Sequence, residues 1–247
     1  IIGLVLTALA PRAEEYFVSP GGNDQYSGTD SGPFHSIFKA SEKAMPGDTV
    51  TILNGEYMLS RQFRPPRSGT PAKWILYRGA PGHTAIFDGS RIKKAVQGND
   101  SVKFSRLTQG IFQIEQVNYL RFENIAVRNS NAAGFIIRGP ECKKIALIGC
   151  KSERTYNSGI GLWYCDSVQV SGCEITRANG DAPQHEAEQR EGSEAPHEAL
   201  SICGARFFEI CGNHIHHCYK EGIDCKEVSR HGLIHHNLVH DLPRQAY

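Results

Sequence analysis

The length, composition and charge of the chain exclude several classes of protein. It has 247 residues, of which 40% are hydrophobic and 21% are charged, and its formal net charge is +1. These values are typical of one or two globular domains and exclude a disordered chain. A charge so close to zero gives no electrostatic footprint for nucleic acid or for an anionic membrane. The 25 glycines and 12 prolines favour many turns and therefore a β-rich architecture.

The first 13 residues have the pattern of a secretory leader. Residues 1–10 are mostly apolar, and residues 11–13 supply the small-residue end of a cleavage site. The apolar run is too short to cross a bilayer, and no later segment is apolar enough to do so. We expect residues 1–13 to be the remnant of a signal peptide and the protein to be secreted, periplasmic or extracellular; a buried first strand is the alternative. Eight cysteines without a C-x-x-C motif also fit an oxidising compartment.

A short amphipathic helix and several strands are predicted before residue 90. Phe34, Ile37 and Phe38 recur at helical spacing within residues 34–44, and Pro46 and Gly47 end this run. Strands are expected where apolar and polar residues alternate between turn residues. They begin at Tyr16 and cover residues 48–53, 74–77 and 85–87.

The second half of the chain is an internal repeat. Five segments share one pattern of alternating apolar residues, and each contains one small or polar turn position. Two of these segments are 40 residues apart, and a loop inserted at 181–196, which has no large apolar residue, explains this longer spacing. The turn position is occupied by Ile125, Cys150, Cys173, Asn213 and Asn237, at spacings of 25, 23, 40 and 24 residues.

A repeat of this length with short strands predicts a solenoid. One coil cannot bury its apolar face, whereas coils stacked about 4.8 Å apart form a continuous core and in-register ladders. We therefore predict an all-β, right-handed parallel β-helix over residues 14–247, with a short capping helix in an N-terminal cap at 14–60 and regular coils from about 111. The chain ends inside a coil without a cap, so we expect the sequence to be truncated at its C-terminus.

Several N-terminal motifs resemble those of a known group of proteins. They are Tyr-Phe-Val-Ser-Pro-Gly-Gly-Asn-Asp at 16–24, Pro-Gly-Asp-Thr-Val at 46–50 and Asn-Gly-Glu-Tyr at 54–57. Together with the coils, they resemble secreted right-handed β-helix proteins, which include polysaccharide lyases of the pectate-lyase and chondroitinase-B type. The resemblance implies this fold for nearly the whole chain after Glu14, with the helix at 34–44 covering the open end of the stack. It does not fix the activity, because this scaffold hosts lyases, hydrolases, epimerases and binding proteins.

Strand alternation predicts which side chains of the repeated coils point outward. The polar ones concentrate between residues 197 and 226, beside the inserted loop. Three pairs are expected to stack between successive coils: Glu198 with Glu221, His197 with Lys220 and Ser201 with Asp224. Beside them, Arg138, Trp163 and Lys226 are expected to share one outward row.

The resemblance implies a lyase chemistry at residues 221–226. The segment Glu-Gly-Ile-Asp-Cys-Lys is similar to the Asp-Gly-Phe-x-x-Lys segment that carries the base lysine of one pectate-lyase family. By this match Lys226 is the base that removes the proton α to a uronate carboxylate, with Glu221 and Glu198 beside it. Calcium would be held by Glu198, Glu221 and Asp224, although the run of calcium-binding aspartates of that family has no clear counterpart.

The partner expected at this face is an acidic, uronate-containing polysaccharide. Trp163 would stack on a sugar ring, Arg138 and Lys220 would pair with uronate carboxylates, and His197 and Ser201 would complete the binding face. No feature indicates nucleic acid, a membrane span or a second chain, so we expect a monomer.

Three alternatives remain open at the level of sequence. Glu198 and Glu221, about 5 Å apart at the backbone, would suit the carboxylate pair of a retaining glycoside hydrolase. A non-catalytic glycan-binding surface protein would depend on Trp163 instead. The third alternative is that these polar residues have no functional role and are solvated side chains on an exposed sheet, which pair only weakly. The histidines after Asn213 are interpreted as structural or solvated rather than as a zinc site.

Overall fold

Parallel strands dominate the structure. The computed structural model describes residues 12–82, 84–92, 109–180 and 197–247. The described residues form three parallel sheets and one short helix. From residue 110 onward, successive strands visit the three sheets in turn, as in a parallel β-helix. The predicted fold class is therefore confirmed. Most of the predicted leader and the whole inserted loop at 181–196 lie outside the described residues.

Element labels follow chain order. The helix is α1 (Ile37–Lys43). The eight-stranded sheet contains β1 (Glu15–Val18), β2 (Thr49–Ile52), β4 (Ile75–Gly79), β7 (Asn118–Glu123), β10 (Lys143–Ile148), β13 (Asp166–Ser171), β16 (Glu209–Cys211) and β19 (Leu233–His235). The seven-stranded sheet contains β3 (Gly55–Met58), β5 (Ala85–Asp88), β8 (Ala126–Ser130), β11 (Lys151–Thr155), β14 (Glu174–Ala178), β17 (His214–His216) and β20 (Leu238–His240). The five-stranded sheet contains β6 (Gly110–Glu115), β9 (Ala133–Arg138), β12 (Ile160–Trp163), β15 (Leu200–Cys203) and β18 (Ile223–Lys226).

The sheets do not all begin at the same point of the chain. The five-stranded sheet begins at Gly110, next to the position from which regular coils were expected. The other two begin at Glu15 and Gly55, within the segment assigned to the cap. Strands β2 and β4 already pair in parallel with the register that β7 continues. Parallel pairing in the eight-stranded sheet therefore begins within residues 14–60, before the five-stranded sheet starts.

Helix α1 covers the N-terminal end of the coil stack, as predicted. Ser36 is its N-cap and accepts a hydrogen bond from the Lys39 backbone N–H at 3.2 Å. The Ser36 hydroxyl in turn donates to Asp24 Oδ2 at 2.8 Å, which fixes the entry of the helix. Phe34 and Ile37 are buried. The predicted run of 34–44 is shortened because residues 34–36 form the entry rather than the first turn.

The core changes its character along the stack. In the N-terminal coils it is aromatic: Tyr77 and Phe122 stack with ring centroids 5.0 Å apart, and Phe112 lies 5.2 Å from Phe135. The later coils are filled by aliphatic side chains and thiols, among them the buried Cys150. All eight cysteines lie in the described residues and carry free thiols. Burial raises the pKa of Cys142 to about 12, so this thiol packs as a small apolar group.

Repeated turns keep the coils in register. One corner places a residue in the left-handed region in five successive coils, and the occupants are Asn124, Gly149, Gly172, Gly212 and His236. At the neighbouring turn position, Asn213 Nδ2 donates to Asn237 Oδ1 at 2.9 Å, and Asn213 Oδ1 accepts from the Cys173 N–H. This amide ladder satisfies buried polar groups where a strand ends.

The described part of the chain offers no helix suited to a bilayer. Helix α1 has seven residues, well short of the length that a membrane span requires.

Candidate functional site

The outward rows of the five-stranded sheet have the predicted register. Ser201 pairs with Gly161 on one side and with Asp224 on the other. Trp163 aligns with Arg138 and Cys203, and Cys203 aligns with Lys226. The row containing Trp163 and Lys226 therefore exists as an in-register ladder.

Glu198 and Glu221 also stack on adjacent coils. The Ala199 N–H donates to the carbonyl oxygen of Glu221 at 3.0 Å, and the Leu200 N–H donates to that of Gly222 at 2.8 Å. The two glutamates therefore stand one above the other, immediately before β15 and β18. Their side chains nevertheless bind different cations.

Lys226 occupies the centre of a cluster of carboxylates. Its Nζ lies 2.7 Å and 2.8 Å from the two oxygens of Glu198 and 3.4 Å from Asp224 Oδ2. The Glu198 side chain is only 10% exposed, whereas those of Lys226 and Asp224 are 29% and 41% exposed. A desolvated carboxylate needs such a partner, because an unpaired buried charge is strongly unfavourable. We call Glu198, Asp224 and Lys226 the lysine cluster.

The lysine cluster holds a proton on Lys226. Burial acts to lower the pKa of this ammonium group, but the hydrogen bond and charge of Glu198, followed by the charge of Asp224, outweigh burial and raise it. At neutral pH the group is therefore a cation, suited to contact an anionic substrate. It can accept a proton only after losing the one that Glu198 and Asp224 stabilise.

Glu221 belongs to a second, separate ion pair. Arg244 Nη1 lies 3.0 Å from Glu221 Oε1. Burial acts to raise the pKa of Glu221, but the hydrogen bond from Arg244 and the charges of Arg244 and Lys220 lower it. A retaining hydrolase needs one carboxyl group with a raised pKa to protonate the leaving group. Glu221 has the opposite shift, and both Glu198 oxygens accept hydrogen bonds from Lys226. The carboxylate pair of a hydrolase stays a prediction.

The three carboxylates expected to bind calcium do not converge. Among the described residues, Glu198, Glu221 and Asp224 do not bring their oxygens within 4.8 Å of one another as a set. Two of them contact Lys226 and the third contacts Arg244. A calcium ion takes six to eight oxygen ligands, so binding one here would require these side chains to leave their present cations.

Trp163 does not form the exposed stacking platform that the sequence predicts. It is only 5% exposed and packs with Ala133 and Ile136 in a small apolar cluster on the outer face of the sheet. A Cβ added at Gly161 would lie 3.2 Å from the indole ring, so this glycine lets the ring fold back over the strand. His197 covers another side of the ring, with centroids 4.9 Å apart. The expectation that Trp163 is free to stack on sugar is therefore corrected.

The other predicted binding residues differ in how far their side chains are exposed to solvent. Ser201 is fully buried, and its hydroxyl has no hydrogen-bond partner in the described part of the chain, so it does not present a contact to solvent. His197 is half-buried, and its carbonyl oxygen accepts from Asn179 Nδ2. Arg138 and Lys220 are also half-buried, and Arg138 ends β9 beside Trp163. The structure thus brings Arg138 and Lys226 to one outward row, and it keeps Ser201 in register with Asp224 but buries its side chain.

Tyr164 is an exposed aromatic residue that the sequence analysis missed. It follows Trp163, has a left-handed backbone and is 52% exposed. Gly204 lies opposite in the next coil, where an added Cβ would come within 2.5 Å of the tyrosine ring. The signal in the sequence is this pairing of a large aromatic residue with glycine at equivalent turn positions.

A groove on the eight-stranded sheet was also missed. It has a volume of about 420 Å³ and is lined by Trp74, Leu76, Arg121, Glu123, Ala146 and Gln169. Trp74 packs edge-on against Tyr119, with centroids 5.8 Å apart. This groove lies on a different sheet from the lysine cluster.

Comparison with known proteins assigns the family. Residues 16–195 match the model of the Pel9A-like right-handed β-helix region, which is more than half of the chain. The chain therefore belongs to this family of right-handed parallel β-helix proteins. Among curated proteins, it is 26% identical to pectate lyase PEL9 of Emericella nidulans in an alignment 167 residues long, which covers 58% of this chain and 40% of that protein. It is 37% identical to the uncharacterized protein YwoF of Bacillus subtilis over 79 residues, 32% of this chain and 16% of that protein.

Solved structures with this fold are distant in sequence. The GH136 lacto-N-biosidase from Eubacterium ramulus has a TM-score of 0.51 at 16% identity, covering 85% of this chain and 44% of that one. Pectate lyase Pel9A has a TM-score of 0.43 at 13% identity, covering 94% and 78%. At these identities the likeness concerns the fold alone. The chain spans about two fifths of the length of the pectate lyase relative from Emericella nidulans.

Proposed function

We propose that this chain is part of an exported enzyme that binds an acidic, uronate-containing polysaccharide and cleaves it by β-elimination, with Lys226 as the base. The observation that carries the proposal is the lysine cluster. It places one lysine in an outward row of the coil stack, directly against a buried glutamate. Membership of the Pel9A-like family and similarity to a protein named pectate lyase support the same reaction class.

The proposed chemistry requires two properties of the same amine. As a cation, Lys226 draws the uronate carboxylate of the substrate to the outward row, assisted by Arg138. As a base, the neutral amine removes the proton α to that carboxylate, and the electrons of the broken C–H bond form a double bond to the adjacent carbon. The glycosidic C–O bond at that carbon breaks, and the departing oxygen takes a proton from water. The raised pKa means that only a small neutral fraction exists at pH 7, so the rate should increase with pH.

Binding is proposed to use Tyr164 instead of Trp163 as the aromatic contact. Tyr164 exposes its ring at the end of the same strand, whereas Trp163 supports the sheet from within a packed cluster. A phenol ring exposed in this way offers an apolar face to a sugar ring and a hydroxyl group to its oxygens.

Calcium remains a prediction. Glu198 and Asp224 would have to release Lys226 in order to ligate it, so added calcium and the lysine ammonium group should compete. Export likewise remains a proposal, and it rests on the apolar run at 1–10. N-terminal sequencing of protein recovered outside the producing cell would test the expected cleavage near residue 13.

The test of the function is an assay for unsaturated product on pectate, alginate and a glycosaminoglycan, with and without calcium. Lys226→Ala should lower the rate by roughly 10²–10⁴-fold, the usual contribution of a general base. Lys151→Ala is the matched control, because Lys151 forms a similar pair with Glu174 on the seven-stranded sheet. Full activity of Lys226→Ala, or no unsaturated product from the unaltered protein on any of these polymers, would contradict the proposal.

A further inference from the structure

Three potential metal ligands converge on the outer face of the eight-stranded sheet. Glu209 and Cys211 lie two positions apart on β16, so both side chains point to the same face. His235, on β19, is directly in register with Cys211. The three residues come from two successive coils and lie on a different sheet from the lysine cluster.

Their donor atoms are close enough to share one ion. Glu209 Oε1 and His235 Nε2 are 3.2 Å apart, and one donor atom from each of Glu209, Cys211 and His235 lies within 4.8 Å of the other two. Two ligands of a tetrahedral zinc ion, bound at about 2.0–2.1 Å, stand about 3.3 Å apart. The carboxylate and the imidazole already have this separation, and the Cys211 sulfur lies within 4.8 Å of a donor atom of each.

We propose that Glu209, Cys211 and His235 form a binding site for a borderline-soft divalent metal ion, with zinc as the best match and a water molecule as the fourth ligand. A thiolate, an imidazole and a carboxylate are the three side-chain ligands that zinc uses in proteins. Calcium and magnesium prefer oxygen ligands throughout, so the sulfur and nitrogen donors exclude them.

Neighbouring residues hold two of the ligands in position. Gln169 Nε2 donates to Glu209 Oε2 at 3.2 Å, which leaves Oε1 directed to His235. His235 Nδ1 lies 2.6 Å from His236 Nδ1, so a proton on His235 Nδ1 can be donated to His236 and leaves Nε2 free for the metal. Such outer contacts fix the tautomer and orientation of metal-binding histidines.

A second group of histidines among the described residues does not bring three donor atoms together. His214 Nε2 lies 2.8 Å from His240 Nε2, and His216 stacks on His240 with centroids 5.5 Å apart. With Glu174 and Asp241 nearby, these rings still place no set of three donor atoms within 4.8 Å of one another. Their contacts are those of hydrogen-bonded and stacked rings.

The test is a titration of the metal-free, reduced protein with cobalt(II), followed by competition with zinc. Cobalt bound to a thiolate gives a charge-transfer absorption that requires the sulfur ligand, so the readout does not depend on enzymatic activity. Cys211→Ser should abolish this band, and His235→Ala and Glu209→Gln should weaken binding by roughly 100-fold or more, beyond the 10–100-fold typical of outer-contact mutations. His236→Ala should weaken it by about 10-fold.

Two matched variants separate the site from general effects. Cys225→Ser removes an exposed thiol on another sheet, and His231→Ala removes an exposed histidine that stacks on Phe207, so both should bind cobalt as the unaltered protein does. Far-UV circular dichroism of every variant confirms that the coils are intact. An unchanged charge-transfer band in Cys211→Ser, or its loss in Cys225→Ser, overturns the proposal.

Discussion

Two lysine–glutamate pairs join adjacent coils on different sheets of this molecule, and they differ in their surroundings. On the seven-stranded sheet, Lys151 Nζ lies 3.0 Å from Glu174 Oε1, and the side chains are 26% and 27% exposed. On the five-stranded sheet, Lys226 Nζ lies 2.7 Å from Glu198 Oε1, and the glutamate is only 10% exposed. The same coil geometry has therefore produced one solvated pair and one partly desolvated pair.

The difference arises from the outer face of each sheet. Beside Glu198, the five-stranded sheet carries Ile136, Trp163 and Ser201, which are all buried although they point away from the coil interior. Glu174 instead has polar neighbours, since His216 Nε2 also lies 3.3 Å from its Oε1. Partial desolvation strengthens charge interactions, so the Lys226 pair is the one suited to control a proton.

The largest expected effect comes from removing the packed aromatic residue. Trp163→Ala should lower the free energy of unfolding by about 3–4 kcal/mol, because it empties a buried position. Tyr164→Ala should change it by less than about 0.5 kcal/mol, since that ring is exposed. Denaturant unfolding of both variants measures the difference, and equal effects would show that Trp163 is not part of a packed outer face.

Removing the glutamate of each lysine–glutamate pair should lower the free energy of unfolding by an intermediate amount, which differs between the two pairs. Glu198→Ala leaves Lys226 without its main partner and should cost about 2 kcal/mol, below the 3–5 kcal/mol of a fully buried pair because Lys226 is partly solvated. Glu174→Ala should cost no more than about 1 kcal/mol. The unfolding midpoints of the two variants at one pH test this contrast, which fails if Glu174→Ala proves the more destabilising.

Alkaline pH should weaken the Lys226 pair. The folded-state pKa is raised above the ordinary value of 10.5, so the stabilisation is complete below 10.5 and is lost as the pH increases through the folded-state pKa. The stability difference between the unaltered protein and Lys226→Met is expected to be about 2 kcal/mol at pH 8, because the variant leaves the more buried Glu198 without its partner. This difference should shrink at higher pH. A difference that is constant or grows with pH would mean that Lys226 is not stabilised as a cation.

The smallest effect is expected in saccharide binding. Tyr164→Ala should weaken the binding of oligogalacturonate by roughly 3–5-fold, or about 0.5–1 kcal/mol, while the unfolding transition stays in place. Tyr26→Ala is the matched control, because Tyr26 is 53% exposed and lies in the N-terminal segment. Isothermal titration would separate them, and equal affinities of the two variants would remove Tyr164 from the site.

The register of this molecule was predictable from sequence, whereas the environment of its side chains was not. A repeat of constant length and the two-residue period of a strand place Ser201 on Asp224 without further information. They do not say that Gly161 lets the Trp163 ring fold back, because this contact depends on rotamers and on space between neighbouring residues. Nor do they decide that Glu198 binds Lys226 while Glu221 binds Arg244.

The proposed zinc ligands also show that register can be predicted from sequence and side-chain orientation cannot. Cys211 and His235 are one coil apart in sequence, and the repeat alone is enough to align them. Glu209 Oε1 meets His235 Nε2 only because of side-chain orientation, which a pattern of residue types does not contain. A search for donor residues one coil apart on the same face would have found the candidates.

The central claim is that Lys226 is the base and that Glu198 controls its proton. The most direct measurement is kcat/KM for unsaturated product formation as a function of pH, in the unaltered protein, Glu198→Gln and the control Glu174→Gln. We predict that the rate increases with pH and that Glu198→Gln moves this increase to lower pH, because the carboxylate that most stabilises the ammonium group is gone. Glu174→Gln should leave the profile unchanged. A profile that Glu198→Gln does not move, or one that persists in Lys226→Ala, would contradict the account.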